Sequence, residues 1–261
     1  MAGAGLWYDV AMHILFFALG AIVASFVGVI VARLNTGQGF LTGRSRCDAC
    51  DAPLAPGTLI PIVSYVISGA RARCCGARIC AYAPLTELLL GGLFALAYLR
   101  LGLTPSLFFM LLSLSLLLAL VLYDLAHQIL PPTLLAAFVG ASAVAGFFIA
   151  QSPARFFDSM LTALLLSFFL ALIHFISRGR AMGFADAPLA LGLALLVGPA
   201  AFPGFVFSFW IGAVVGIALL AGRPRGFRMK SEVPFAPFLA AGFLLAYFTQ
   251  WNPFIFIAAL P

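Results

Sequence analysis

Charge is nearly absent from this chain. Of its 261 residues only 8% are Asp, Glu, Lys or Arg and 64% are hydrophobic, where a soluble globular domain carries roughly a quarter of its residues as charged side chains. That balance excludes a protein whose main solvent is water. A basic segment ahead of the first apolar run is also missing, since the first Lys or Arg is Arg33. This argues against a cleaved signal peptide and predicts an N-terminus that starts outside. No internal repeat and no low-complexity tail interrupts the apolar pattern.

What is present is a series of long apolar runs. The stretches 10–32, 105–123 and 129–150 hold no formally charged residue and reach the roughly 17 to 25 residues that a spanning helix needs. Fainter runs cover 83–99, 160–176, 182–202, 205–221 and 237–260. The pattern predicts an all-α, polytopic membrane bundle of about eight spans. It divides into a first transmembrane helix (1–34), a small cytosolic loop domain (35–82) and a transmembrane core (83–261).

Basic residues orient the bundle. With the N-terminus outside, Arg33, Arg44, Arg46, Arg71, Arg73, Arg78, Arg178, Arg180, Arg223, Arg225, Arg228 and Lys230 fall on one side, and Arg100 and Arg155 on the other. Twelve against two makes the first side cytosolic by the positive-inside rule. The net charge of +6 therefore reports topology and attraction to anionic headgroups rather than a nucleic-acid partner. The polar stretch 35–82 holds all five cysteines, and its apolar, proline-punctuated middle, 54–68, is too short to span.

With only eight carboxylates, each can be weighed alone. Asp9, Asp48, Asp51, Asp158 and Glu232 fall in loops or near span ends and read as solvated surface charges. Asp124, Asp186 and Glu87 abut or enter apolar spans, where a charged carboxylate is disfavoured by about 2.5 to 3.5 kcal/mol at mid-membrane and less near the edge. Tracing the chain, one span runs inward and ends at Asp124, while a later one opens inside with Asp186. Two carboxylates at one depth suit shared acid and base work, one deprotonating water while the other polarises the carbonyl under attack. The same positions also suit an interfacial cap on a helix, or a proton relay in a transporter.

The local motifs, in order, resemble the type IV prepilin leader peptidases, membrane-embedded aspartic proteases. ALGAIVASFVGVIVARLN is similar to that family's first span, and CDACDAPL with CCGARICAYAPLTELL to its cysteine-bearing loop. YDLAHQILPPTL and MGFADAPLALG are similar to its two catalytic motifs, and EVPFAPFLAAG to the opening of its final span. The resemblance implies that Asp124 and Asp186 are catalytic, supported by Gly183 and Ala185. It implies cleavage of a prepilin or pseudopilin precursor, with a basic leader and a hydrophobic helix, at the cytosolic face of a bacterial inner membrane. Long members with the cysteine loop also methylate the new N-terminus with S-adenosylmethionine.

Two departures stand out. Ala185 replaces the second glycine of the Gly-x-Gly-Asp motif, and alanine adopts φ > 0 less readily than glycine. Pro188 stands where the family usually carries a lysine. These changes keep open an impaired relative that serves in assembly or substrate binding, and transport remains a third possibility. In the loop, cytosolic placement and an odd cysteine count argue against full disulfide pairing. Cys47-x-x-Cys50 is a metal half-site, and Cys75 with Cys80 completes a four-thiolate zinc set, with Cys74 as a substitute for Cys75. Reduced thiols without metal are the alternative. Adjacent Cys74 and Cys75 are expected to be awkward joint ligands. Glu87 matches a family carboxylate, with a role in methyl transfer or in anchoring the loop by an arginine. His127 is expected to be solvated, and His13 and His174 to be neutral and hydrogen-bonded within the bundle.

Overall fold

A backbone in lipid has no water to satisfy its amides, so each apolar run closes its own hydrogen bonds as a helix. The computed structural model of the chain describes residues 2–34, 46–47, 49–55, 57, 60–180, 182–222 and 234–253, with side chains from residue 8 onward and excepting that of residue 220. Arg44, Asp48, Arg223, Arg225, Arg228, Lys230, Glu232 and residues 254–260 of the expected last span lie outside the described residues.

Among the described residues there are nine α-helices and no strand, only two isolated bridges. They are α1 (Ala2–Arg33), α2 (Val63–Ile67), α3 (Tyr82–Leu101), α4 (Pro105–His127), α5 (Pro132–Ala150), α6 (Pro153–Ser177), α7 (Asp186–Val197), α8 (Ala201–Ala221) and α9 (Ala236–Thr249). Proline opens α4, α5 and α6 and stands second in α9. It is well placed in a first turn, whose N–H groups have no intrahelical acceptor.

Six helical runs among the described residues are long and apolar enough to cross a membrane: Tyr8–Arg33, Tyr82–Leu101, Pro105–His127, Pro132–Ala150, Pro153–Ser177 and Asp186–Leu219. The last is not one straight rod. A 3-10 turn at Gly198–Ala200, with Gly198 at φ 58, separates α7 from α8. The expected span 182–202 is therefore only 12 helical residues, roughly 18 Å long against a hydrocarbon core of about 30 Å. α9, at 14 residues, is also short. α4 runs one turn past the expected end at 123, because nothing breaks the helix until Gln128 turns left-handed at φ 55. In the loop, the apolar middle forms the five-residue α2.

The chain separates into two compact units, Met1–Leu103 and Thr104–Pro261, so α3 belongs with α1 and the loop. In the first unit α1 and α3 cross backbone to backbone at Gly20 and Gly91. A Cβ on Gly20 would lie 2.7 Å from the Leu90 carbonyl oxygen, and one on Gly91 would lie 2.8 Å from that of Phe17. Phe16 stacks on Tyr98 beside this crossing at 4.8 Å. His13 donates from Nδ1 to the Asp9 carbonyl in its own helix at 2.6 Å and meets Tyr98 edge-on.

In the second unit α7 is the core. Leu189, Ala190, Leu193, Ala194 and Leu196 are fully enclosed by α5, α6 and α9. α8 and α9 approach through Gly204, Ser208 and Gly242, where the Ser208 hydroxyl donates to the Gly204 carbonyl at 2.8 Å and to that of Leu239 at 3.3 Å. Burying α7 on all sides fixes its N-terminus, and with it Asp186.

Candidate active site and metal centre

Asp124 lies in the last turn of α4, where its own carbonyl accepts from Gln128 N–H at 2.8 Å. It is 7% exposed. Its carboxylate accepts a hydrogen bond from the backbone N–H of Ala236, the first residue of α9. The positive end of a helix therefore faces the acid. Its Oδ2 is buried and has no hydrogen-bond partner among the described residues, an acceptor left available to a reactant. His127 is exposed, its ring against Tyr123 at 4.4 Å.

Asp186 opens α7 and is 8% exposed. The turn before it is closed reciprocally. Asp186 N–H donates to the Gly183 carbonyl at 3.3 Å, and Gly183 N–H donates to the Asp186 carboxylate. α6 pins this corner twice, through the Ser167 hydroxyl on the Ala187 carbonyl at 2.9 Å and His174 Nδ1 on the Met182 carbonyl at 2.9 Å.

The expected strain at Ala185 is absent. Ala185 sits at φ −67, ψ −17, a right-handed conformation open to any L-residue, so no glycine is required there. Pro188 lies in the first turn of α7, where a missing N–H removes no helical bond. Both departures are accommodated by local geometry.

The two carboxylates thus come from the end of one helix and the start of another within a single unit, close enough to act on each other electrostatically. Each is shielded from bulk water, and in such a low-dielectric site charge interactions are far stronger than at a surface.

In the loop, two tight turns present sulfurs to each other. The first is closed by Cys47 N–H on the Ala52 carbonyl at 2.9 Å, and the second by Ala72 N–H on that of Ala77 at 2.8 Å, with Gly76 at φ +70. The Sγ atoms of Cys47, Cys50, Cys74 and Cys75 all lie within 4.8 Å of one another. Individual separations are 3.8 Å for Cys47 to Cys75, 3.4 Å for Cys50 to Cys74 and 3.9 Å for Cys74 to Cys75. A tetrahedral zinc with bonds of about 2.3 Å puts its sulfurs roughly 3.8 Å apart, so the donor set fits.

The clustered sulfurs differ from the expected ligand set. Cys80 is not in the cluster and Cys74 takes its place. The second turn is tied off by Ile79 N–H on the Ala70 carbonyl at 2.8 Å, so Cys80 stands beyond the stem while Cys74 and Cys75 share the tip. The awkwardness expected of adjacent cysteines is relieved by Gly76, which lets the tip curl. Backbone N–H groups of Ala49 and Cys50 pull the Cys47 thiol down to about 7, whereas the neighbouring sulfurs of Cys50 and Cys47 push Cys74 up to about 12. A cation among the four sulfurs would let all of them ionise.

Glu87 is 6% exposed. Its Oε2 accepts from the backbone N–H of Ile62 at 2.7 Å, so it anchors the loop through a main-chain amide. Ile62 sits at φ 59, ψ −51, a strained conformation for a β-branched residue. A cavity of about 710 Å³ lies between the loop and the two helices of the first unit, with Arg46, Tyr65, Arg71, Arg73, Arg78 and Glu87 among its lining.

Two partners of the acids escaped the sequence reading. Ala236 contributes only a backbone N–H, and its one sequence signal is the proline that follows it at a helix start. His174 was legible as a hydrogen-bonded histidine, but not as the residue that reaches the Asp186 turn.

Residues 18–101 match the Bacterial Peptidase A24 N-terminal domain, and residues 110–219 match the Type IV leader peptidase family. Among curated proteins, the prepilin leader peptidase/N-methyltransferase of Bacillus subtilis strain 168 is 33% identical over 238 residues, 88% of this chain and 92% of that one. The protein of the same name from Myxococcus xanthus strain DK1622 is 33% identical over 214 residues, 80% of this chain and 63% of its own length. That of Pseudomonas aeruginosa is 28% identical over 248 residues, 85% of each. No solved structure matches.

Proposed function

The chain belongs to the type IV leader peptidase family, and from that premise we propose that it is a membrane aspartic endopeptidase cutting prepilin-like precursors with Asp124 and Asp186. One carboxylate, ionised, takes a proton from a water molecule. The other, protonated, gives its proton to the oxygen of the scissile carbonyl as the water oxygen bonds to carbon. The tetrahedral intermediate then collapses: the second carboxylate takes back the hydroxyl proton as the carbonyl re-forms, the C–N bond breaks, and the amine leaves with the proton held by the first carboxylate. Ala236 N–H steadies charge on Asp124 throughout.

The observation that carries this reading is a pair of buried carboxylates, from α4 and α7, within electrostatic range of each other, with Asp124 Oδ2 lacking a hydrogen-bond partner among the described residues. The test is cleavage of a purified precursor by the protein in detergent. Equal cutting by wild type and Asp124→Asn would sink it.

The arginine count supports an inner-membrane protein whose acids face the cytosol, where the basic leader of a precursor lies. The four clustered cysteine sulfurs support structural zinc held by Cys47, Cys50, Cys74 and Cys75. Methylation of the new N-terminus is part of the same reading, with S-adenosylmethionine supplying the methyl group. The cavity of the first unit suits that molecule. Arg71, Arg73 and Arg78 would meet its carboxylate, and Tyr65 would pack on its base.

A further inference from the structure

The second acid hangs from a corner that one side chain holds together. A carbonyl only accepts, so the 2.9 Å contact between His174 Nδ1 and the Met182 carbonyl requires the hydrogen on Nδ1. That bond joins α6 to the residue immediately before Gly183. Gly183 in turn donates to the Asp186 carboxylate and accepts from its N–H.

The imidazole is itself locked from three directions. Phe184, inside the turn, meets it edge-on at 5.5 Å, and Phe175 does the same at 5.5 Å. Gly179, at φ +74, donates its N–H to the His174 carbonyl at 2.9 Å, and a Cβ there would stand 3.3 Å from the ring's Cε1. The chain leaving α6 is thus wrapped under the ring while the chain entering α7 is hung from it. The imidazole is also near enough to act on Asp186 electrostatically.

We propose that His174 is a positioning residue for the proposed peptide cleavage: by clamping the Met182 carbonyl it sets the register of the Gly183 turn and aims the Asp186 carboxylate at the reacting carbonyl. The inference rests on the proposed function and deepens it. Because His174 acts on the acid and not on the leader, its loss changes turnover and leaves precursor affinity alone.

The experiment compares wild type, His174→Leu and His174→Asn in detergent, measuring kcat and KM on one purified precursor together with thermal melting. Leucine fills the site without a donor, while the asparagine amide N–H can reach the same carbonyl. A carboxylate misplaced by about 1 Å costs up to about 100-fold in rate. The expected result is a kcat at least about 10-fold lower for His174→Leu with KM within about twofold, and recovery to within about threefold of wild type in His174→Asn. A His174→Leu enzyme within about twofold of wild type overturns the proposal, and so does a His174→Asn enzyme as slow as His174→Leu. If the leucine variant fails to fold, the asparagine variant alone decides by the same limit. A wild type that cuts no precursor overturns the underlying function instead, which keeps the two failures apart.

Discussion

At the residue scale the molecule depends on where single atoms lack or find a partner. Asp124 Oδ2 has none among the described residues, and Asp186 is held by Gly183. Replacing either acid with asparagine keeps its shape and removes its proton chemistry, so cleavage is expected to fall at least about 1000-fold while the precursor still binds. Single-turnover cleavage and a pull-down of precursor measure the two separately. Ala185 predicts the opposite behaviour. Since its φ of −67 is already right-handed, Ala185→Gly should change kcat by less than about threefold. In the loop, Cys74→Ser is expected to lose bound zinc and Cys80→Ser to keep it, because only Cys74 lies in the cluster. Metal analysis of the purified variants decides between them.

At the element scale, close helix approach is made by glycine and loop shape by one carboxylate. A Cβ on Gly242 would run into the backbone nitrogen of Ser208 and the carbonyl of Gly204. Backbone cannot step aside as a side-chain tip can, so Gly242→Ala is expected to destabilise α9 against α8 by about 1 to 3 kcal/mol. The readout is a lower melting temperature in detergent. Glu87 governs the loop in the same way, since Ile62 keeps its strained φ of 59 only while its N–H is held. Glu87→Gln retains an acceptor oxygen, whereas Glu87→Ala does not. Hydrogen exchange of α2 is expected to quicken in the alanine variant and stay near wild type in the glutamine variant.

At the scale of the whole molecule, the acids and the loop cavity lie in separate compact units. The two activities of the family should therefore be separable. Asp124→Asn is expected to abolish cutting yet still methylate a synthetic peptide that begins at the mature N-terminus, and mass spectrometry of that peptide reads the added methyl group. If both activities vanish together, the assignment of methylation to the first unit is wrong.

The membrane bundle, its approximate spans and the two aspartates were legible in the sequence. Hydropathy and charge act on each stretch of chain directly through its solvent, whatever its neighbours do, and a buried carboxylate in an apolar run is conspicuous. Other features depended on contacts between distant residues. Asp124 meets Ala236 only because α9 returns to α4, and the turn before Asp186 meets His174 only because α6 folds back on α7. Cys74 displaced Cys80 from the cluster because a turn at Gly76 decided which sulfurs share a tip. The spans 182–202 and 205–221 show the same division: their hydropathy was plain, but the bend at Gly198 left α7 only 12 residues long. Linear composition determined which stretches enter lipid and which residues carry charge there. Tertiary packing alone decided which polar atoms are satisfied, and hence which carboxylate oxygen is left free to react.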